Sequence, residues 1–254
     1  MSTSTRSQAI DAVLADAVAA GAVPNVVAVA ADRDGVIYEG AVGPRAPAED
    51  ATVDPDTPLR IMSMTKPVVT VAALALAEQR KLDIDAPVEE YTPEFAAIGL
   101  LERIEGGRPV LRVPARKVTV KQLITHTSGL GYWFWNADVL AWERAVDAPR
   151  SMTGLRAVLD APLVAEPGSA FEYSNATDWL GLVVEAICGR PLDEAVTAIV
   201  TEPLGMTRTG FALDERARAE LVPVHVRSSG GGWAASEIEL PSRPEYVSGS
   251  RGLY

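Results

Sequence analysis

Ser63-Met64-Thr65-Lys66 sets a hydroxyl and an amine three residues apart. On a helix, side chains at i and i+3 share a face, so the amine can reach the hydroxyl. Serine is a weak nucleophile at neutral pH and needs an adjacent base. A lysine whose charge is disfavoured by burial can be that base, and the pair then supports acyl transfer through a seryl ester. The same tetrapeptide also reads as a helix-capping serine followed by a solvated lysine. The neighbours favour the chemical reading: Pro67 sits in the first turn, where a missing N–H does no harm, and a largely apolar run from Val68 to Ala77 begins at once. Lys66 therefore falls at the edge of a core. At a helix start the Ser63 N–H would also point toward a bound group.

A second constellation is Tyr173-Ser174-Asn175, between the loop Glu166-Pro167-Gly168 to Glu172 and a helix expected from about Ala176. A tyrosine at such a junction can present its phenol to a cleft, and a lysine cation beside a phenol favours its ionised form, a general base. Asn175 could donate to a substrate amide or meet Lys66. Alternatively Ser174 or Asn175 caps the helix and Tyr173 packs. Tyr132-Trp133-Phe134-Trp135 is an aromatic cluster suited to an acyl or alcohol pocket, with Tyr132, Trp133 and Trp135 as candidate substrate contacts. Core packing or a subunit contact explains the cluster equally well.

The elements that must position these groups follow from pattern. Residues 7–20 have helical spacing of Ile10, Val13, Leu14, Ala17 and Val18, with Gly21 placed to end the helix. Runs 25–31 and 36–42 flank Asp32-Arg33-Asp34-Gly35 as a β-hairpin. Further helices are expected over 63–80, 119–126, 138–147, 152–160, 175–188 and 192–201, the second opened by a capping box at Thr119 and Gln122. A small hairpin is expected from 109–113 and 117–120 around Pro114, and Ser228 to Gly232 reads as a hairpin loop. Two or three N-terminal strands make a marginal sheet alone.

The chain has 254 residues, 48% hydrophobic, with a formal charge of −11. That acidity argues against nucleic acid and anionic membrane surfaces as partners. No apolar run is long enough to span a bilayer. No apolar core follows Met1 to Arg6 as in a signal peptide, so the expectation is a cytoplasmic protein. One cysteine, Cys188, excludes an internal disulfide and reads as a buried structural thiol on a helix face. Two histidines and no Cys/His cluster argue against zinc, and no metal or cofactor is expected.

Taken in order, Ser63-Met64-Thr65-Lys66, Gln122 to Leu130 (including His126-Thr127-Ser128-Gly129), Glu166-Pro167-Gly168 leading to Tyr173-Ser174-Asn175, and Pro203-Leu204-Gly205-Met206 resemble the serine β-lactamases and penicillin-binding-protein-like serine hydrolases. The likeness is greatest to the class C β-lactamase-like, family VIII-type esterases. It implies an α/β β-lactamase/transpeptidase-like fold: a helical subdomain plus an antiparallel sheet with a covering N-terminal helix. It also implies Ser63 as nucleophile, Lys66 as proton-shuttling base and Tyr173 as a second base or acid, the oxyanion being held partly by the Ser63 N–H. His126 is then a structural residue. Relatives of this kind carry a third motif on a later strand, Lys-Thr-Gly, His-x-Gly or Trp-x-Gly, which is not found before Tyr254. The expectation is a truncated domain: an N-terminal helix and incomplete sheet over 1–62, a mainly helical part over 63–246, and the start of a missing portion over 247–254. An exposed sheet edge would favour self-association. The expected activity is hydrolysis of small esters. Amidase, β-lactamase and transesterase chemistry, and a catalytically silent binding module, are the alternatives.

Overall fold

The computed structural model describes residues 3–238, 240–241 and 243–254. The chain forms two compact units, Met1–Arg60 with Leu213–Glu239, and Ile61–Ala212 with Leu240–Tyr254. The division at 60/61 lies two residues from the expected boundary at 62, whereas residues 213–239 group with the N-terminal part instead of the helical one, and 247–254 with the helical one.

In the first unit, α1 (Thr3–Ala19) begins earlier than the periodicity suggested and ends as expected. The N–H groups of Gly21 and Ala22 donate to the carbonyls of Val18 and Ala17. β1 (Val26–Asp32) and β2 (Gly35–Val42) pair antiparallel, with an irregularity between Ala30 and Ala31. The Asp32 carboxylate accepts the Asp34 N–H at 2.8 Å across the turn. The Tyr38 hydroxyl donates to Asp11 at 2.8 Å and ties α1 to the hairpin. Ser228 to Gly232 is indeed a hairpin loop, between the short strands His225–Arg227 and Trp233–Ala235. A short helix, Glu215–Glu220, was not foreseen, since its polar sequence has no apolar stripe; its N-terminus is capped by the Asp214 side chain.

The second unit is built around α2 (Thr65–Glu78), whose Val69, Ala72, Ala73 and Leu76 are buried at helical spacing. It packs on α5 (Ala176–Cys188), which also meets α3 (Val120–Ile124) and α6 (Leu192–Val196). The capping box at Thr119 and Gln122 is present. α4 (Ala137–Val146) is capped by the Asn136 side chain. Beyond α6 the chain continues as one wide π-type turn, Thr197–Thr201. Phe95 meets Trp179 of α5 edge-on, with ring centroids 4.8 Å apart, in the same apolar core. Cys188, expected buried, is half-buried against that core.

Two elements differ from expectation. Strand β4 (Arg108–Arg112) pairs with β3 (Leu100–Glu105), not with 117–120. Gly106 and Gly107, at φ 57° and 77°, supply the two left-handed residues that a tight hairpin turn needs, while Val118 and Val120 bond instead to the 86–88 stretch. Residues 152–160 form a short 3-10 turn, Arg156–Asp160, in place of a helix. Backbone groups a helix would have used go elsewhere: the Arg156 N–H donates to the Glu245 side chain at 2.7 Å, and the Gly154 carbonyl accepts the Glu245 N–H at 2.9 Å.

Residues 247–254 are an integral part of this unit. Leu253 is fully buried, its N–H donates to the Thr65 hydroxyl at 3.1 Å, and its carbonyl accepts the Ile61 N–H at 3.2 Å. Among the described residues, the strands form three separate two-stranded antiparallel sheets, and no helix is long and apolar enough to cross a membrane.

Candidate active site

Ser63 stands in a 3-10 turn, Met62–Met64, that leads directly into α2. The preceding Met62 is left-handed, φ 46°, a conformation that costs a non-glycine residue about 1–2 kcal/mol. The strain is carried where the chain turns into the helix, and Leu253 braces both sides through Ile61 and Thr65. Ser63 is exposed and Lys66 is buried, so the hydroxyl faces outward over an amine held inside.

The Lys66 Nζ lies 3.3 Å from Ser63 Oγ, 3.4 Å from the Tyr132 hydroxyl and 3.0 Å from the Ser250 carbonyl. Burial pushes its pKa below the ordinary lysine value; charge and hydrogen bonding from Tyr173, and the Asp178 charge, pull the other way, while Arg251 adds to the lowering. Among these, burial dominates. A neutral amine in this position has N–H groups for Ser250 and Tyr132 and a lone pair for the Ser63 proton.

Tyr173 joins the cluster, its ring centroid 4.9 Å from Lys66 Nζ and 5.6 Å from the Tyr132 ring. His126 fixes that junction from the side. Its Nδ1 accepts the Ser174 N–H at 3.3 Å and its carbonyl accepts the Glu172 N–H at 2.8 Å, so the backbone is held on both sides of Tyr173. Burial, followed by the nearby Lys66 charge, lowers the His126 pKa to about 4, and the ring is neutral at pH 7. Ser174 caps α5 by accepting the Ala176 N–H at 3.2 Å. Asn175 does not cap. It is buried, and its Oδ1 has no hydrogen-bond partner among the described residues.

The aromatic loop splits. Tyr132 is buried against Lys66, and burial raises its hydroxyl pKa well above the ordinary tyrosine value, so it is a hydrogen-bonding phenol. Phe134 stacks on Tyr132 at 4.8 Å and is 54% exposed. Trp133 turns to Arg150, whose guanidinium lies 4.2 Å over the ring, and Trp135 is 67% exposed. The structure thus brings Ser63, Lys66, Tyr132 and Tyr173 together and leaves Trp133 and Trp135 outside direct contact with Lys66.

Sequence reasoning missed three contributors. Phe171 is 65% exposed, with its ring 6.0 Å from His126, whose own ring lies 4.8 Å from Tyr173. The Ser250 carbonyl is a backbone group and leaves no signature in sequence. Asp178 did leave one: an acid directly ahead of the largely apolar run Trp179 to Val184.

The beta-lactamase family model matches residues 10–252. The chain belongs to the beta-lactamase family. Esterase EstB from Burkholderia gladioli is 35% identical over 270 residues, covering 96% of this chain and 66% of the esterase. Simvastatin synthase (LovD) from Aspergillus terreus, as its LovD6 mutant, superposes with a TM-score of 0.86 at 28% identity, covering 97% of this chain and 62% of that one. EstCE1, described as a hydrolase with promiscuous acyltransferase activity, gives a TM-score of 0.77 at 27% identity over 99% of this chain and 68% of its own. The α/β fold expected from the motifs is therefore the fold of this family member, which spans about two thirds of these relatives' length.

Proposed function

We propose that this chain is a serine hydrolase acting on small carboxylic esters through an acyl-enzyme. The carrying observation is the buried Lys66 amine 3.3 Å from the exposed Ser63 hydroxyl, with burial opposing its charge. Lys66 takes the Ser63 proton as Oγ bonds to the ester carbonyl carbon. The Ser63 N–H faces the oxyanion, worth about 10²–10³ in rate for a donor of this type. The proton passes through Lys66 and Tyr173 to the departing alkoxide as the carbon–oxygen bond breaks, and water then releases the acid by the reverse relay. Asn175 is kept in this reading as the substrate contact expected from the sequence, although its side chain is buried and its Oδ1 has no hydrogen-bond partner among the described residues. Phe134 and Phe171 form the walls that favour apolar acyl or alcohol groups.

The test is acylation by p-nitrophenyl acetate. An acetyl adduct on Ser63 by intact mass and peptide mapping, absent in Ser63→Ala together with turnover, is the expected result. Unchanged turnover in Ser63→Ala would end the proposal.

Transfer of the acyl group to an alcohol is the second reading, supported by the likeness to a hydrolase with promiscuous acyltransferase activity. The same acyl-enzyme serves both acceptors, and the ratio of ester to acid formed in the presence of a primary alcohol separates them. Nitrocefin run alongside tests β-lactam hydrolysis.

A further inference from the structure

Asp178 is wholly buried on α5, three residues past Asn175. Its carboxylate accepts three hydrogen bonds, all from one short segment: the Tyr246 hydroxyl at 3.2 Å, the Ser248 hydroxyl at 2.7 Å and the Ser250 N–H at 2.9 Å. A buried carboxylate persists only where hydrogen bonds and an opposite charge offset its lost hydration, and the buried Arg251 supplies that charge. The carbonyl of the same Ser250 accepts from Lys66 Nζ at 3.0 Å.

We propose that Asp178 is a positioning residue of the acyl-transfer site: it clamps the 246–250 turn so that the Ser250 carbonyl holds the Lys66 amine against Ser63. The proposal rests on the Ser63–Lys66 reading above. Its chemistry is directional. A neutral amine that gives one N–H to a fixed carbonyl and another to Tyr132 aims its lone pair at the remaining neighbour, the Ser63 hydroxyl. Without the clamp the lysine stem regains rotameric freedom, and the lone pair is aimed for a smaller share of the time. Among the described residues, the charged and titratable groups facing Lys66 are Tyr132 from the aromatic loop, Tyr173 from the loop before α5, Asp178 from the first turn of α5, His126 from the turn after α3, and Arg251 from the C-terminal segment.

Asp178→Ala and Asp178→Asn separate the clamp from the charge. With p-nitrophenyl acetate, Asp178→Ala is expected to lose about 10- to 100-fold in acylation rate with KM within about two-fold, the size of effect a misplaced catalytic group produces. Asp178→Asn keeps a carbonyl for Ser248 and Ser250, with an amide facing a Tyr246 hydroxyl that can accept. It is expected to recover most of that rate. Its acid limb should move to lower pH, because a negative charge that favours the Lys66 ammonium is gone. A folded Asp178→Ala that acylates at the wild-type rate overturns the proposal, as does an unmoved limb in Asp178→Asn. Should the alanine variant not fold, Ser248→Ala, which removes the 2.7 Å hydrogen bond of the clamp, takes its place: a several-fold slower acylation is expected, and a wild-type rate overturns the proposal. Ser63 adduct formation in the wild type is read in parallel. If it is present and the Asp178 variants match wild type, this proposal alone falls; if it is absent, the hydrolase reading falls and takes this one with it.

Discussion

The Ser174 N–H donates to His126 Nδ1 at 3.3 Å, and that contact, with the Glu172 N–H on the His126 carbonyl, sets where Tyr173 stands. A histidine that looks like a catalytic partner for serine is thus occupied with holding a backbone. Its ring must be neutral for Nδ1 to accept, and its pKa near 4 keeps it so. The unfolded chain protonates this histidine near pH 6.5 and the folded chain only near 4. The contribution to stability is therefore whole above pH 6.5 and is lost as pH falls toward 4. Urea midpoints measured from pH 7.5 down to 4.5 should decline by the equivalent of about 2 kcal/mol, and His126→Gln should flatten that decline. An equal slope in both proteins would remove His126 from this role.

Lys66 predicts the rate profile. In the proposed mechanism the neutral amine is the working base, and since burial lowers its pKa, acylation should reach its plateau below the ordinary lysine range. Lys66→Ala should cost about 10²–10⁴ in acylation rate, and Lys66→Arg about as much, since a guanidinium does not deprotonate. Stopped-flow release of p-nitrophenolate across pH measures both.

Phe134 stacks on Tyr132, and Phe171, from a different loop, meets the His126 ring that packs against Tyr173. Truncating either to alanine should raise KM several-fold for hexanoyl or aryl esters, consistent with about 1 kcal/mol per lost aromatic contact. The same change should leave the acetyl ester nearly unaffected. A uniform effect across acyl lengths would deny them a part in specificity.

Gly129 has φ 91°, and a Cβ there would collide with the Ala165 carbonyl; its own carbonyl accepts the Val164 N–H at 2.7 Å. Gly129→Ala should lower stability by about 3 kcal/mol or more, combining left-handed strain with the clash. Thermal melts give the value, and a loss under 1 kcal/mol would mean the 129–165 contact is easily relaxed.

The β1–β2 hairpin carries Val29 and Val36 exposed at 56% and 61%, on a two-stranded sheet. We expect concentration-dependent self-association in sedimentation velocity, reduced by Val29→Lys with Val36→Lys. Identical sedimentation of the two proteins at every concentration would dismiss this edge as the cause.

The sequence by itself determined whatever neighbouring residues settle among themselves. Ser63 and Lys66 share a helix face because they are three residues apart; Thr119 with Gln122 makes a capping box, and Asp32 to Gly35 makes a turn, all from local chemistry. Four spaced motifs were enough to identify the family. Interactions across long separations were not legible. The 152–160 stretch gave up its helix to Glu245, and β4 chose the partner offered by the Gly106-Gly107 turn, because competing backbone bonds decide between locally similar outcomes. Only the tertiary structure could place the Ser250 carbonyl on Lys66, 184 residues away, or set Asp178 beneath it. A buried amine's basicity depends on the dielectric and the charges around it, and those are properties of packing.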